Sequence, residues 1–182
     1  MHQLKRSFAF AGLAMLALLA FVAPAAADNS RGTVNVGERE LDHAIAVYSD
    51  TVRIDPSNAV VYVARGFIYA EKGDRDRAIA DFSEAIRLDP RLAVAYVSRG
   101  SAYRINGDNS RAIADFDEAI RIDPKDAKAF TNRGLTYLKV GDAAKARADF
   151  KAALALPRDP TDGWPQDTAR IQLGAMSGPS AR

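Results

Sequence analysis

The chain has 182 residues, 48% of them apolar and 26% charged, with 25 Lys and Arg against 23 Asp and Glu and no cysteine. This fits one modest soluble domain and excludes a disulfide framework and a thiolate metal site. The excess of positive charge is Lys5 and Arg6; removing them leaves 23 basic against 23 acidic residues, a near-neutral remainder that argues against nucleic acid or an anionic membrane as partner.

Residues 1–27 read as a secretory signal peptide rather than as part of the fold. Lys5 and Arg6 form the basic start, Phe8 to Val22 is an uncharged apolar run of 15 residues, and Ala25-Ala26-Ala27 gives the small-residue cleavage pattern before Asp28. The run is short for a membrane span, which needs about 20 apolar residues. The rival reading is an uncleaved anchor. No cysteine follows the run, which excludes a lipoprotein signal. Cleavage after Ala27 implies a periplasmic or secreted protein with no membrane insertion once the signal is removed. Residues 28–37 are polar and read as a loose start to the mature chain.

Residues 39–54 then read as a helix closed by Asp55-Pro56. Its apolar set Ala44, Ile45, Tyr48 and Val52 returns 34 residues later as Ala78, Ile79, Phe82 and Ile86. That period holds as far as Leu156. Gly66 becomes Gly100 and Gly134; Tyr69 becomes Tyr103 and Tyr137; Gly73-Asp74 becomes Gly107-Asp108 and Gly141-Asp142. Ala78, Phe82 and Ala85 recur as Ala112, Phe116, Ala119 and as Ala146, Phe150, Ala153. A fixed period of this length marks a solenoid. Within one period, Ala78, Ile79, Phe82, Ala85 and Ile86 form one stripe of an α-helix, and Tyr62, Gly66 and Tyr69 form another. Gly66 in a helix costs about 1 kcal/mol against Ala and implies close helix packing in return. Gly73-Asp74 reads as a helix end followed by a cap. Asp89-Pro90 and Asp123-Pro124 read as an N-cap with Pro at the first helical position.

These residues resemble the tetratricopeptide repeat family, a helix–turn–helix unit of 34 residues with an aromatic, a small residue, Tyr, Ala, Phe, Ala and Pro at set offsets. Full units fall at 59–92, 93–126 and 127–160. Tyr62, Tyr96 and Phe130 stand where the family often has Trp, and Arg158 stands in the last Pro slot, between Pro157 and Pro160. The resemblance implies an all-α fold, a right-handed superhelical solenoid. Residues 28–58 make a linker and a degenerate capping helix that covers the open face of the first unit, as arrays require. Residues 161–182 make a C-terminal capping helix and a frayed tail. In it Asp167 to Met176 form a short amphipathic helix that packs through Ile171 and Leu173 or Ala175.

Little in the chain carries chemistry. His43, the one histidine beyond the leader, sits beside Asp42 as a solvated helix residue. The glycines follow the repeat rather than a phosphate loop, zinc motifs are absent, and Asp74, Asp108 and Asp142 are explained by capping rather than by calcium. Arg65, Arg99 and Arg133 recur one residue before the packed glycines. They read as partners of the tyrosines four residues on, or of Asp81, Asp115 and Asp149, in preference to a row that binds an acidic partner. Arg77–Asp81, Arg111–Asp115 and Lys145–Asp149 read as exposed i,i+4 pairs worth about 0.3–0.5 kcal/mol each. Phe82, Phe116 and Phe150 read as core. No catalytic constellation, metal site or cofactor site is expected.

In the family the resemblance points to, first helices of successive units line a concave groove that takes extended peptides or partner helices. Carried over by offset, that face is Val60, Val63, Phe67 and Ala70, then Val94, Val97, Ser101 and Arg104, then Lys128, Thr131, Leu135 and Leu138. Val60, Val63 and Phe67 form an extra apolar stripe that either meets the N-terminal helix or makes a partner pocket flanked by Arg104 and Lys128. The family's best-known groove clamps a C-terminal carboxylate with Lys, Arg and Asn; this face holds too few of them for that clamp. The expected function is a non-catalytic binding module, an exported adaptor or assembly scaffold for a protein or peptide partner. The alternatives are a non-catalytic subunit of an envelope enzyme complex and a self-associating scaffold.

Overall fold

The computed structural model describes residues 36–158 and 160–177. The expected signal peptide, residues 28–35 and the last five residues lie outside the described residues. Among the described residues all regular structure is helical, in eight elements. In order they are α1 (Val36–Ile54), α2 (Ala59–Glu71), α3 (Arg75–Leu88), α4 (Ala93–Ile105), α5 (Asn109–Ile122), α6 (Ala127–Lys139), α7 (Ala143–Ala155) and α8 (Trp164–Ser177). The fold is the all-α repeat solenoid the period implies.

Three helix pairs, α2–α3, α4–α5 and α6–α7, are the repeated unit, and each unit packs on the next through α3–α4 and α5–α6. The first helices α2, α4 and α6 also touch in sequence, and α8 continues their row by packing on both α6 and α7. The glycine in each first helix sets how close the pair can come. A Cβ added at Gly66, Gly100 or Gly134 would lie 2.6, 2.9 or 2.7 Å from the ring of Phe82, Phe116 or Phe150. No side chain fits there, and the rings fill the gap: all three phenylalanines are fully buried, with the repeated alanines around them.

The turn inside each pair is the same device three times. Gly73, Gly107 and Gly141 hold φ of 85–86°, the left-handed region that glycine enters without a Cβ penalty. The next N–H returns to the preceding helix: that of Asp74 donates to the Tyr69 carbonyl at 2.8 Å. Asp74, Asp108 and Asp142 then cap α3, α5 and α7, accepting the N–H of Arg77, Arg111 and Lys145 at 3.2, 3.0 and 3.0 Å. The turns between pairs differ from the sequence expectation. Asp89 and Asp123 do not start helices; they close α3 and α5 and accept the N–H two residues on, from Arg91 and Lys125, both at 2.9 Å. An Asp side chain readily forms this short local turn, and Pro90 and Pro124 sit inside it. The caps come later, at Asp126 for α6; Leu92, before α4, makes no side-chain cap bond.

Both end helices start three residues earlier than the sequence suggested, α1 at Val36 and α8 at Trp164. Pro165 lies in the first turn of α8, where its missing N–H has no helical partner to lose. Ala169, Leu173 and Met176 pack on the cluster around Phe150. Of the expected pair, Ile171 with Leu173 or Ala175, only Leu173 packs; Ile171 and Ala175 are exposed. Ile171 and Ala175, four residues apart, share a face, and each stands two residues from Leu173, about 200° around a helix of 3.6 residues per turn, so burying Leu173 turns both outward.

Candidate functional site

The first helices share one face, and the ten residues expected on it divide into three groups. Val60, Phe67 and Val94 are exposed, an apolar strip at the α2–α4 end. The Phe67 ring stands edge-on to Phe82 at 5.5 Å and 69°, so its inner side is held by the core while its outer side is free. Ser101, Arg104 and Leu135 are half-buried, and Lys128 is exposed.

Val63, Val97 and Thr131 do not line an open face; all three are buried. Their position in the first helix turns toward the next first helix. Val63 shares a core cluster with Ala95 of α4, and Val97 shares one with Ala129 of α6. Thr131 donates its hydroxyl to the Pro165 carbonyl of α8 at 3.1 Å. Offsets alone could not separate these positions from their exposed neighbours, because the contact that buries them comes from another unit. Lys128 pairs its ammonium with Asp162 at 2.6 Å and lines a small pocket together with Asp126, Pro165 and Gln166.

The recurring arginines are structural. The guanidinium of Arg65 is bidentate to Asp81 at 2.8 and 2.7 Å, Arg99 to Asp115 at 2.9 and 2.8 Å, and Arg133 to Asp149 at 2.9 and 2.7 Å. Each also donates Nη1 to the unit before it, to Ser49 (3.2 Å), Ser83 (3.1 Å) and Asp117 (2.6 Å). Aromatic rings lie 5.6–6.0 Å from each guanidinium. The carboxylate bonds raise all three arginines above their ordinary pKa. With these aspartates turned inward, the expected i,i+4 pairs do not form. Arg77, Arg111 and Lys145 pair instead with the capping Asp74, Asp108 and Asp142.

Arg104 is different. It is half-buried between α4 and α6, and no carboxylate stands within ion-pair distance of it among the described residues. Its Nη2 makes one long bond, 3.4 Å, to Asn132 Oδ1, and its Nε is buried without a partner. Burial lowers its pKa from the ordinary guanidinium value. Beside it the Lys139 ammonium donates to the Arg104 carbonyl at 3.0 Å, and Asn132 is anchored by its Nδ2–H to the Lys128 carbonyl at 3.0 Å. The Arg104 guanidinium thus meets the Asn132 amide across α4 and α6, with the exposed Lys139 ammonium on the Arg104 backbone. Sequence reading counted too few such groups because Asn132 and Lys139 lie outside the positions carried over; Asn132 in the register of Ser98 and Ala64 was the available signal.

Comparison with known proteins agrees with this architecture. Models described as tetratricopeptide repeat match residues 59–92 and 127–160, and one described as TPR repeat matches 100–141, together a little over half of the chain. No curated protein matches the sequence. Among solved structures, the crystal structure of MamA is similar over 79% of this chain and 87% of its own, with 23% identity and a TM-score of 0.62. The TPR domain of Arabidopsis OM64 is similar over 65% of this chain and 95% of its own, with 26% identity and a TM-score of 0.58. The second TPR of Spaghetti (RPAP3), solved bound to the HSP90 peptide SRMEEVD, is similar over 54% of this chain and 92% of its own, with 29% identity and a TM-score of 0.53.

Proposed function

Because the chain belongs to the tetratricopeptide repeat family, we propose that it is an exported adaptor that holds an extended peptide along the face of α2, α4 and α6. An apolar segment of the peptide lies over Val60, Phe67 and Val94, and an acidic side chain or terminal carboxylate meets Arg104. The observation that carries this reading is Arg104 itself. A half-buried guanidinium with an unpartnered Nε costs stability, and a carboxylate supplied by a ligand completes it. The exposed Lys139, bonded to the Arg104 backbone, adds positive charge on the same side. The acidic end of the peptide held by the Spaghetti repeat supports the same chemistry. Export rests on the sequence of residues 1–27 alone, and the first residue of the accumulated chain tests it: N-terminal sequencing is expected to begin at Asp28.

The binding reading is tested by fluorescence anisotropy with labelled SRMEEVD as a model acidic peptide. Its C-terminal amide and an uncharged-side-chain analogue serve as comparisons. Arg104→Gln is expected to weaken the acidic peptide by about tenfold or more, as loss of a charged hydrogen bond does, and Phe67→Glu to weaken every peptide. Equal affinity of the wild type and Arg104→Gln for all three peptides removes Arg104 from the site.

A further inference from the structure

Where α6 and α8 begin, their first turns and the residues leading into them surround a pocket of about 180 Å³. Pro165 and Gln166, both buried, form its floor, Pro157 and Ala127 add apolar wall, and Lys125 and Lys128 stand exposed at its rim. At about 30 Å³ for each water the pocket has the space of about six, enough for a small organic group. Gln166 is 4% exposed. Its Nε2 donates to the Pro157 carbonyl at 3.3 Å, and because a carbonyl only accepts, this bond fixes which end of the amide is which. Oε1 is the remaining end, and it is buried without a partner among the described residues. A buried acceptor in that state costs stability until a donor meets it.

The charges around this oxygen disfavour an anion. The start of α6 would attract one, but Asp126 already caps it, accepting the N–H of Lys128 at 2.8 Å and of Ala129 at 3.3 Å. Three carboxylates line the pocket, those of Asp123, Asp126 and Asp162, against the ammonium groups of Lys125 and Lys128. Lys128 is engaged with Asp162. A group that suits the pocket therefore donates hydrogen bonds, carries positive charge and brings a short apolar stem for the proline walls. A primary alkylammonium meets all three conditions.

We propose that this pocket binds a primary alkylammonium group, whose head donates to Gln166 Oε1 and whose stem lies against Pro157 and Pro165. Asp162 supplies the charge for the head, and the ligand competes with Lys128 for it. A free small amine and the lysine side chain of a bound peptide carry the same chemistry. The site takes the opposite charge to Arg104 and shares no residue with it, so the two readings are tested separately.

Titration of butylammonium into the chain as it accumulates in the producing cell, followed by amide NMR, tests the site. The side-chain amide signal of Gln166 and the backbone signals of Lys125 and Lys128 are expected to move together and to saturate. Tetramethylammonium, which has the charge and no N–H, is expected to bind about tenfold more weakly, as loss of a charged hydrogen bond implies. Tighter binding of N-acetyl-lysine amide than of butylammonium assigns the site to a peptide lysine; the reverse order assigns it to a free amine. Gln166→Met keeps the bulk and removes the acceptor, and is expected to weaken butylammonium about tenfold. Lys128→Met, at an exposed position, frees Asp162 and is expected to tighten it severalfold, which decides the matter even where Gln166→Met folds poorly. Shifts that never saturate overturn the proposal, as does equal binding of tetramethylammonium. Affinity unchanged in Lys128→Met also overturns it.

Discussion

The seam between paired helices and the outer face of the first helices are built from the same three segments, yet they obey opposite rules. Along the seam every unit repeats glycine against phenylalanine and arginine bidentate to aspartate at nearly the same distances, and each arginine adds a third bond to the unit before, to a serine twice and to Asp117 once. Along the face each unit differs, from exposed valine and phenylalanine on α2 to serine and arginine on α4 to lysine, asparagine and leucine on α6. Close packing leaves the seam no freedom to vary, because a single added methyl group meets an aromatic ring. The face has no such constraint, so its irregularity is where recognition can be written. Two arginines show the contrast: Arg99 has its counter-ion built into the seam, and Arg104, one turn and a half further along the same helix, has none.

The seam is the place to break the fold. Phe116→Ala removes the ring that fills the central unit and is expected to cost about 3–5 kcal/mol, read as a lower urea midpoint. The same change at Phe67, on the face, loses only an edge contact with Phe82 and is expected to cost about 1 kcal/mol. Equal losses at both positions would erase the distinction. Next in size is Asp115→Ala, which strands Arg99 half-buried without its carboxylate at a cost of about 3 kcal/mol. The double variant Asp115→Ala/Arg99→Met is expected to recover part of that loss, since the stranded charge is gone. A double variant as unstable as the single would place the cost in packing rather than in charge.

The sequence made the seam legible because repetition is itself the signal. Three copies of Gly66, Phe82 and Arg65 at one spacing define a packed interface before any contact is known. The same signal failed wherever the environment of a residue comes from outside its own unit. Val63 and Phe67 occupy one helix a turn apart, and only the neighbouring α4 decides that the first is buried and the second open. Ile171 was assigned to the core for want of the rotation of α8, and of the groups around Arg104 only Arg104 itself was named, because Asn132 and Lys139 lie outside the positions carried over by offset. Asp89 and Asp123 were misassigned for a different reason: an Asp before a Pro serves equally as a cap or as a local turn, and only the chain direction after Pro90 chooses.

On the face, Arg104→Gln sharpens the comparison from the other side. It removes a charge that the seam does not use, so stability is expected to be unchanged or slightly raised, while affinity for an acidic peptide falls about tenfold, roughly 1.4 kcal/mol. Calorimetric unfolding beside anisotropy on one preparation reads both. A variant that loses stability and keeps affinity would move Arg104 from the face to the seam.

The smallest expected effect concerns the turns that join seam to face. Asp108 and Asp142 are held below the ordinary carboxylate value of 3.8, chiefly by the backbone N–H of Arg111 and Lys145 and then by those residues' side chains. A depressed folded pKa contributes stability that is complete above the unfolded value and is lost as pH falls through the folded one. The contribution of both caps is therefore constant from neutrality down to about pH 5 and fades below about pH 4. Asn accepts the same backbone bond and does not titrate. Asp108→Asn/Asp142→Asn is thus expected to match the wild type at pH 7 apart from the lost ion pairs, which at exposed sites are weak. Below pH 4 its stability is expected to fall less steeply with acid than that of the wild type. Parallel acid slopes for the two chains would mean that these aspartates hold their turns by shape alone, with the positive φ of Gly107 and Gly141 setting the start of α5 and α7 whatever the charge of the cap.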